Sequence, residues 1–209
     1  MKLSYFFIAA ITLLLSGCSG DYQQIFNGTD LSGWQIHGHD KWYVEDGELV
    51  CESGASEEDG YLLSLKSYGD FELRLEFFPV ELKNGSGVFF RTNINGDEVS
   101  GWKVEIAATE HGTGSIYEKN GRGWLKQISE KNQSALKSGQ WNRMKIKVVG
   151  GSVSTWLNGE LMVTLSDEKI EGATGIIALQ IQNGGGVKMR WRNIKIKELD
   201  KLEKVNHYF

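Results

Sequence analysis

Between Arg91 and Trp124 the chain brings together Arg91, Trp102, Glu105, His111, Tyr117, Glu118, Arg122 and Trp124. Carboxylate, imidazole and guanidinium groups interleaved with Trp and Tyr suit sugar chemistry. Aromatic rings stack on the C–H faces of a pyranose while a few fixed polar groups read its hydroxyls. Each residue also has a plainer reading. Glu105 alternates with Trp102, Val104 and Ile106 and fits an outward position on an open strand face. Arg91 fits a structural ion pair, and His111, in a Gly-rich loop, fits a surface imidazole. Trp141 and Trp156 read as packing anchors. His37-Gly38-His39-Asp40 has the look of a metal tract but lacks a third ligand in sequence. Gly184-Gly185-Gly186 is a turn, since a phosphate loop needs a following helix. Gly-x-Ser-x-Gly, His-Glu-x-x-His and nucleotide-binding fingerprints do not occur in the sequence.

Composition narrows the classes further. The 209 residues are 40% apolar and 24% charged, with 26 Gly and one Pro, which suits one packed domain. Lys and Arg number 23 against 27 Asp and Glu, with no basic run, so the balance argues against a nucleic-acid partner. Two cysteines, Cys18 and Cys51, cannot build a disulfide framework.

The elements that must hold the candidate residues are strands. Residues 70–77 alternate apolar and charged without error, and residues 144–148, 152–157 and 160–165 follow the same period of two. Asn158-Gly159 and Asp46-Gly47 are two-residue hairpin turns, both central positions needing positive φ. Residues 48–52 read as a strand with Cys51 as a small buried apolar residue. In the last strand Val187, Met189 and Trp191 share one face, but Ile194 and Ile196 are out of phase with them, so a β-bulge is expected near Arg192-Asn193. Only residues 129–137 and 167–170 suit a helical turn. About 10 to 13 antiparallel strands with Gly-rich turns make an all-β sandwich or jelly roll of two sheets.

The N-terminus reads as an address. Lys2, an apolar run too short to span a bilayer, and Leu15-Ser16-Gly17-Cys18 have the layout of a lipoprotein signal peptide. The expected organisation is a signal peptide at 1–17, lipidated Cys18 with a tether at 18–23, one domain at 24–199 and a tail at 200–209. That predicts a protein of the bacterial cell envelope, held to the membrane through its lipid anchor only.

Ile25-Phe26-Asn27-Gly28-Thr29-Asp30-Leu31-Ser32-Gly33-Trp34 resembles the opening of the 3-keto-disaccharide hydrolase domain family. The resemblance continues through residues 42–49, 71–73, 84–91, 101–106, 113–117, 140–142, 179–180 and 192–197, and covers essentially residues 24–198. It implies a concanavalin A-like jelly roll and cleavage of glycosides already oxidised at C3, described as hydrolase, 1,2-lyase or 2-hydroxy-glucal hydratase activity. Such a substrate presupposes an upstream sugar 3-dehydrogenase. A C3 ketone acidifies the C2 proton, so the protein must supply a base, a holder for the enolate oxygen and an acid for the leaving group. Glu105, lodged beside Trp102, is the candidate base. Arg91 is the candidate enolate holder, with a divalent cation as the alternative, although no motif fixes a cofactor. His111, Tyr117 or Glu118 is the candidate acid or a sugar ligand, His111 being the one placed in the catalytic set, and Trp102, Tyr117, Glu118, Arg122, Trp124, Gln180 and Gln182 are candidate sugar ligands. Gln182 stands where relatives often carry His, and an amide cannot shuttle a proton at neutral pH. The alternative function on this fold is non-catalytic carbohydrate binding. A laminarinase-like glucanase would need closely spaced acids on one strand, which residues 105–118 lack.

Overall fold

The structure, a computed structural model, describes residues 21–39, 41–54, 58–108 and 111–199. The expected signal peptide, Cys18 and the tail at 200–209 lie outside the described residues. Two antiparallel sheets pack face to face. In chain order the strands are β1 (Gln23–Gln24), β2 (Trp34–His37), β3 (Lys41–Glu45), β4 (Glu48–Glu52), β5 (Gly60–Tyr68), β6 (Phe71–Leu82), β7 (Ser86–Asn95) and β8 (Glu98–Ile106). They continue as β9 (Ile116–Lys119), β10 (Gly123–Lys126), β11 (Asn142–Val149), β12 (Ser152–Leu157), β13 (Glu160–Ser166), β14 (Gly175–Ile181) and β15 (Val187–Glu198). One sheet runs β13-β12-β11-β6-β15-β4-β3, with β1 paired to β15, and the other runs β10-β9-β8-β7-β14-β5-β2. Glu130–Ala135 forms a short 3₁₀ helix, within the stretch expected to turn helically.

Alternation decides which side chains enter the core. Leu73, Leu75 and Phe77 of β6, Ile146 and Val148 of β11, and Trp191, Ile194 and Ile196 of β15 point inward from the first sheet. Val88 and Phe90 of β7, Trp102, Val104 and Ile106 of β8, and Leu179 and Ile181 of β14 meet them from the second. Burying each large apolar side chain contributes about 1.5–3 kcal/mol. Cys51 lies buried in β4 among them.

The phase slip expected in the last strand is present. Register with β6 jumps between Arg192, opposite Glu76, and Lys195, opposite Arg74. Asn193 takes φ of 53°, so Trp191 and Ile194 both face the core. Asp46-Gly47 and Asn158-Gly159 adopt the positive φ values their hairpins require, between 52° and 93°.

Candidate functional site

The outer face of the β10–β2 sheet carries a second apolar cluster of Tyr61, Leu63, Phe89, Val99 and Ala178. Beside it, where β7, β8 and β14 run together, a cavity of about 430 Å³ opens. The β8 side chains opposite in parity to Trp102, Val104 and Ile106 reach this cavity. They are Lys103 and Glu105, both buried, at 8% and 4% exposure.

Glycine makes their room. A Cβ on Gly87, which pairs with Glu105 across β7 and β8, would lie 2.7 Å from the Lys103 stem. One on Gly85 would lie 2.6 Å from Gln182 Oε1 and 2.7 Å from Glu105 Oε1. The Asn84-Gly85-Ser86-Gly87 segment therefore leaves a floor over which a lysine, a glutamate and a glutamine converge.

Lys103 Nζ is 2.7 Å from Glu105 Oε2 and 5.5 Å from the centre of the Tyr117 ring. Burial raises the Glu105 carboxyl above its ordinary pKa, and the charges of Lys103 and His111 only partly offset that. The backbone of Glu105 is tied to Ser115 O and Gly114 N at 2.9 Å each. Thr113 Oγ1 bonds both Ala107 N and Ala107 O, and Ser115 Oγ donates to His111 O. These contacts fix the loop that carries His111, whose ring stacks on Trp124 at 4.2 Å between centres. Trp124 in turn meets Tyr117 edge-on at 5.1 Å.

The opposite wall is built on Asp59. Its carboxylate accepts from Lys119 Nζ at 2.7 Å, Gln180 Nε2 at 2.9 Å, Tyr61 OH at 3.1 Å and Asn183 N at 3.2 Å. Burial pushes this carboxyl upward, but the hydrogen bond and charge of Lys119 and the donors from Asn183 and Gln180 outweigh it and hold the pKa below its ordinary value. Burial and the neighbouring Asp59 raise the Tyr61 hydroxyl. Gln180 is 2% exposed, and among the described residues its Oε1 has no hydrogen-bond partner. A buried acceptor of that kind is completed by a donor such as a sugar hydroxyl.

Of the residues expected at the site, Glu105, His111, Tyr117, Trp124, Gln180 and Gln182 line the cavity. Four others are corrected. Arg91 is 1% exposed, and its guanidinium bonds Asp70 at 2.9 Å and the backbone oxygens of Gly69, Gly150 and Ile170. It sits in a bulge of β7, with φ of 50°, where register with β8 shifts between Phe90 and Asn93. Its donors are spent on loop carbonyls, so it is a structural clamp and not an enolate holder. Trp102 stacks on Phe90 inside the core, on the face of β8 opposite Glu105. Glu118 shares the parity of Trp102 across the β8–β9 pairing and binds Arg122, which also grips Asp167 at 2.7 Å. Glu118 and Arg122 thus form a surface ion network and leave the sugar-binding set.

Lys103, Asp59 and Lys119 were missed by sequence reasoning. Parity pointed to Lys103, two residues before Glu105 on the same face; nothing local in the sequence ties Asp59 to Gln180. Trp141 and Trp156 are half-buried on the outer face of the other sheet. They carry Arg192 at 3.8 Å and Lys145 at 3.5 Å over their rings, so they are not core anchors.

A divalent cation fits these residues poorly. Among the described residues no three His, Cys, Asp or Glu side chains cluster as a ligand set. The cavity's two carboxylates, Asp59 and Glu105, are each already met by an ammonium group at 2.7 Å. His37 lies 6.1 Å from Tyr61, ring to ring, and His39 is exposed.

A family model described as the 3-keto-alpha-glucoside-1,2-lyase-like domain matches residues 21–197. The chain belongs to this family. A 3-keto-disaccharide hydrolase of Bacteroides thetaiotaomicron is 28% identical to this lyase-like domain over 165 residues, 66% of the chain and 56% of that relative. The chain thus spans little more than half the relative's length. Among solved structures, a candidate glycosyl hydrolase of Parabacteroides distasonis superposes with a TM-score of 0.64 at 23% identity, covering 86% of this chain and 100% of that one. A Bacillus subtilis protein of unknown function with a galectin-like fold gives 0.69 at 14% identity, covering 86% and 97%. Together with the two antiparallel sheets, these likenesses identify the lyase-like domain as a jelly roll of the concanavalin A-like kind.

Proposed function

We propose that this protein cleaves glycosides already oxidised at C3. The observation that carries the reading is the buried Lys103–Glu105 pair, 2.7 Å apart, at the floor of a cavity reached by sugar-binding side chains. Glu105 takes the C2 proton, and the electrons of that C–H bond delocalise into the C3 carbonyl as an enolate. The Lys103 ammonium, in place of Arg91, holds the enolate oxygen. As the ketone re-forms, the electrons make a C1–C2 double bond and the C1–oxygen bond breaks, His111 giving its proton to the departing oxygen. Water then adds at C1, its proton passing to His111, and Glu105 returns the proton to C2, which completes net hydrolysis.

Arrival of the ketone also accounts for the pairing. At rest the ammonium neutralises Glu105; once the substrate oxygen engages Lys103, the carboxylate loses a partner within a buried site and becomes a stronger base. Trp124 and Tyr117 supply stacking faces, while Gln180 and Gln182 supply amides for hydroxyls.

The test is to incubate the full chain with a 3-keto-glucoside and with the same glucoside unoxidised. Release of the aglycone from the oxidised sugar alone is the expected result. Binding of either sugar without turnover overturns it in favour of a carbohydrate-binding domain, the reading that Gln182 favours.

A further inference from the structure

On the far side of the molecule, the outward positions of β11, β6 and β15 fall into cross-strand rows. Lys147, Glu72 and Lys197 form one row, and Arg143, Glu76 and Arg192 form another, each with a carboxylate between two cations. The row between them is Lys145, Arg74 and Lys195, three cations directly opposed. Like charges in that relation destabilise a sheet. The fold nevertheless sets seven cations against two carboxylates in these nine positions, on a chain whose net charge is −4. Glu72, from the adjacent row, meets Arg74 at 2.6 Å, and the Arg74 side chain remains 48% exposed. Trp156 lies at one end of the row, 3.5 Å from Lys145 Nζ. Tyr22 covers the other end, its ring 4.6 Å from Arg74 and 5.5 Å from Lys195. A cleft of about 610 Å³ follows the row.

We propose that this face docks on the anionic phospholipid surface of a membrane leaflet. Charge complementarity is the first argument, since each Lys or Arg near such a surface adds to binding. The second is where the chain enters the fold. β1 pairs with β15 beside this row, Gln24 opposite Lys195, so the described chain starts on this face. Cys18 precedes Tyr22 by four residues, a span of at most about 14 Å at full extension. A lipid on Cys18, the modification the sequence leads one to expect, keeps this row within that reach of the headgroups. Trp and Tyr at its two ends are the residue types that settle at headgroup level. The cavity, on the outer face of the opposite sheet, then opens away from the membrane.

The test uses the chain from Asp21 onward, which holds every described strand and both described apolar clusters. It is sedimented with vesicles of phosphatidylcholine alone or of phosphatidylcholine with phosphatidylglycerol. Binding to the anionic vesicles only is expected, with a loss of about ten-fold or more in affinity when Arg74→Gln, Lys145→Gln and Lys195→Gln are combined. That variant loses the Glu72 ion pair and the ring contacts together with the like-charge row, so a thermal melt and far-UV circular dichroism are read beside binding, and lost binding counts only for a variant that remains folded. Equal binding to both vesicle types, or undiminished binding by the variant, overturns the proposal. So does displacement from the vesicles by inorganic phosphate or a DNA duplex at phosphate concentrations below that of the phosphatidylglycerol, which would make the row a general anion or nucleic-acid site.

Discussion

Glu105 has a carboxyl that burial lifts above the ordinary range of a glutamate, and as a base it works only when ionised. Activity should therefore fall as the pH drops through that raised pKa, on an acid limb lying above pH 4.5. Glu105→Gln should lower kcat by about 10²-fold or more and abolish the acid limb in any residual rate, which a pH–rate profile reads directly. Asp59 behaves in the opposite sense. Its depressed pKa means that the native state binds fewer protons than the unfolded chain, so its stabilisation is present above pH 3.8 and is lost as pH falls through the folded value. Asp59→Asn should cost about 1–3 kcal/mol at neutral pH, a gap that urea titrations should show closing below pH 3.8. Arg91→Met should cost about 3–5 kcal/mol, because it removes the ion pair to Asp70 and the guanidinium donors to three backbone carbonyls. The folded fraction should keep its turnover, and unchanged stability would restore Arg91 as a candidate at the site. At this scale residue type singled out Glu105 and Tyr117, and both line the cavity. Arg91 misled because a guanidinium at a strand end suits a substrate anion and a set of loop carbonyls equally well.

Strands explain both the successes and the gaps in reading the elements. β6 and β11 bury one face each, so their alternation is visible, and the slip in β15 shows as a break in phase. β7 is buried on both faces over most of its length and carries no alternation from which its bulge at Arg91 could be read. The bulge nonetheless leaves a trace in its neighbours. Gly175 of β14 has no space for a Cβ, which would come within 2.6 Å of Thr92 N and O, and Gly101 of β8 approaches Thr92 Cα from the other side. Gly85 is glycine for a different reason, since only side-chain ends crowd it. Gly85→Ala should leave stability within about 1 kcal/mol, because flexible ends can move aside. It should lower kcat/KM about 10-fold or more by displacing Glu105 and Gln182. Thermal melts beside steady-state kinetics separate these two outcomes.

Across the whole molecule, the all-β class follows from period-two patterning. The sheet order does not, because β6 pairs with β11 and β15, and β7 with β14, across long stretches of sequence. The same topology sets the cavity and the cationic row back to back, with the core between. Inside the cavity each carboxylate is matched by its own lysine, so an uncharged sugar meets little field there. The row on the other face has cations to spare. Ionic strength should therefore discriminate between the two faces. Raising sodium chloride to the point where the Debye length shrinks to about 3 Å should release the domain from anionic vesicles while hydrolysis of a neutral keto-sugar continues at nearly its former rate. A washed, salt-released fraction that still turns over would show that catalysis needs no contact with an anionic surface.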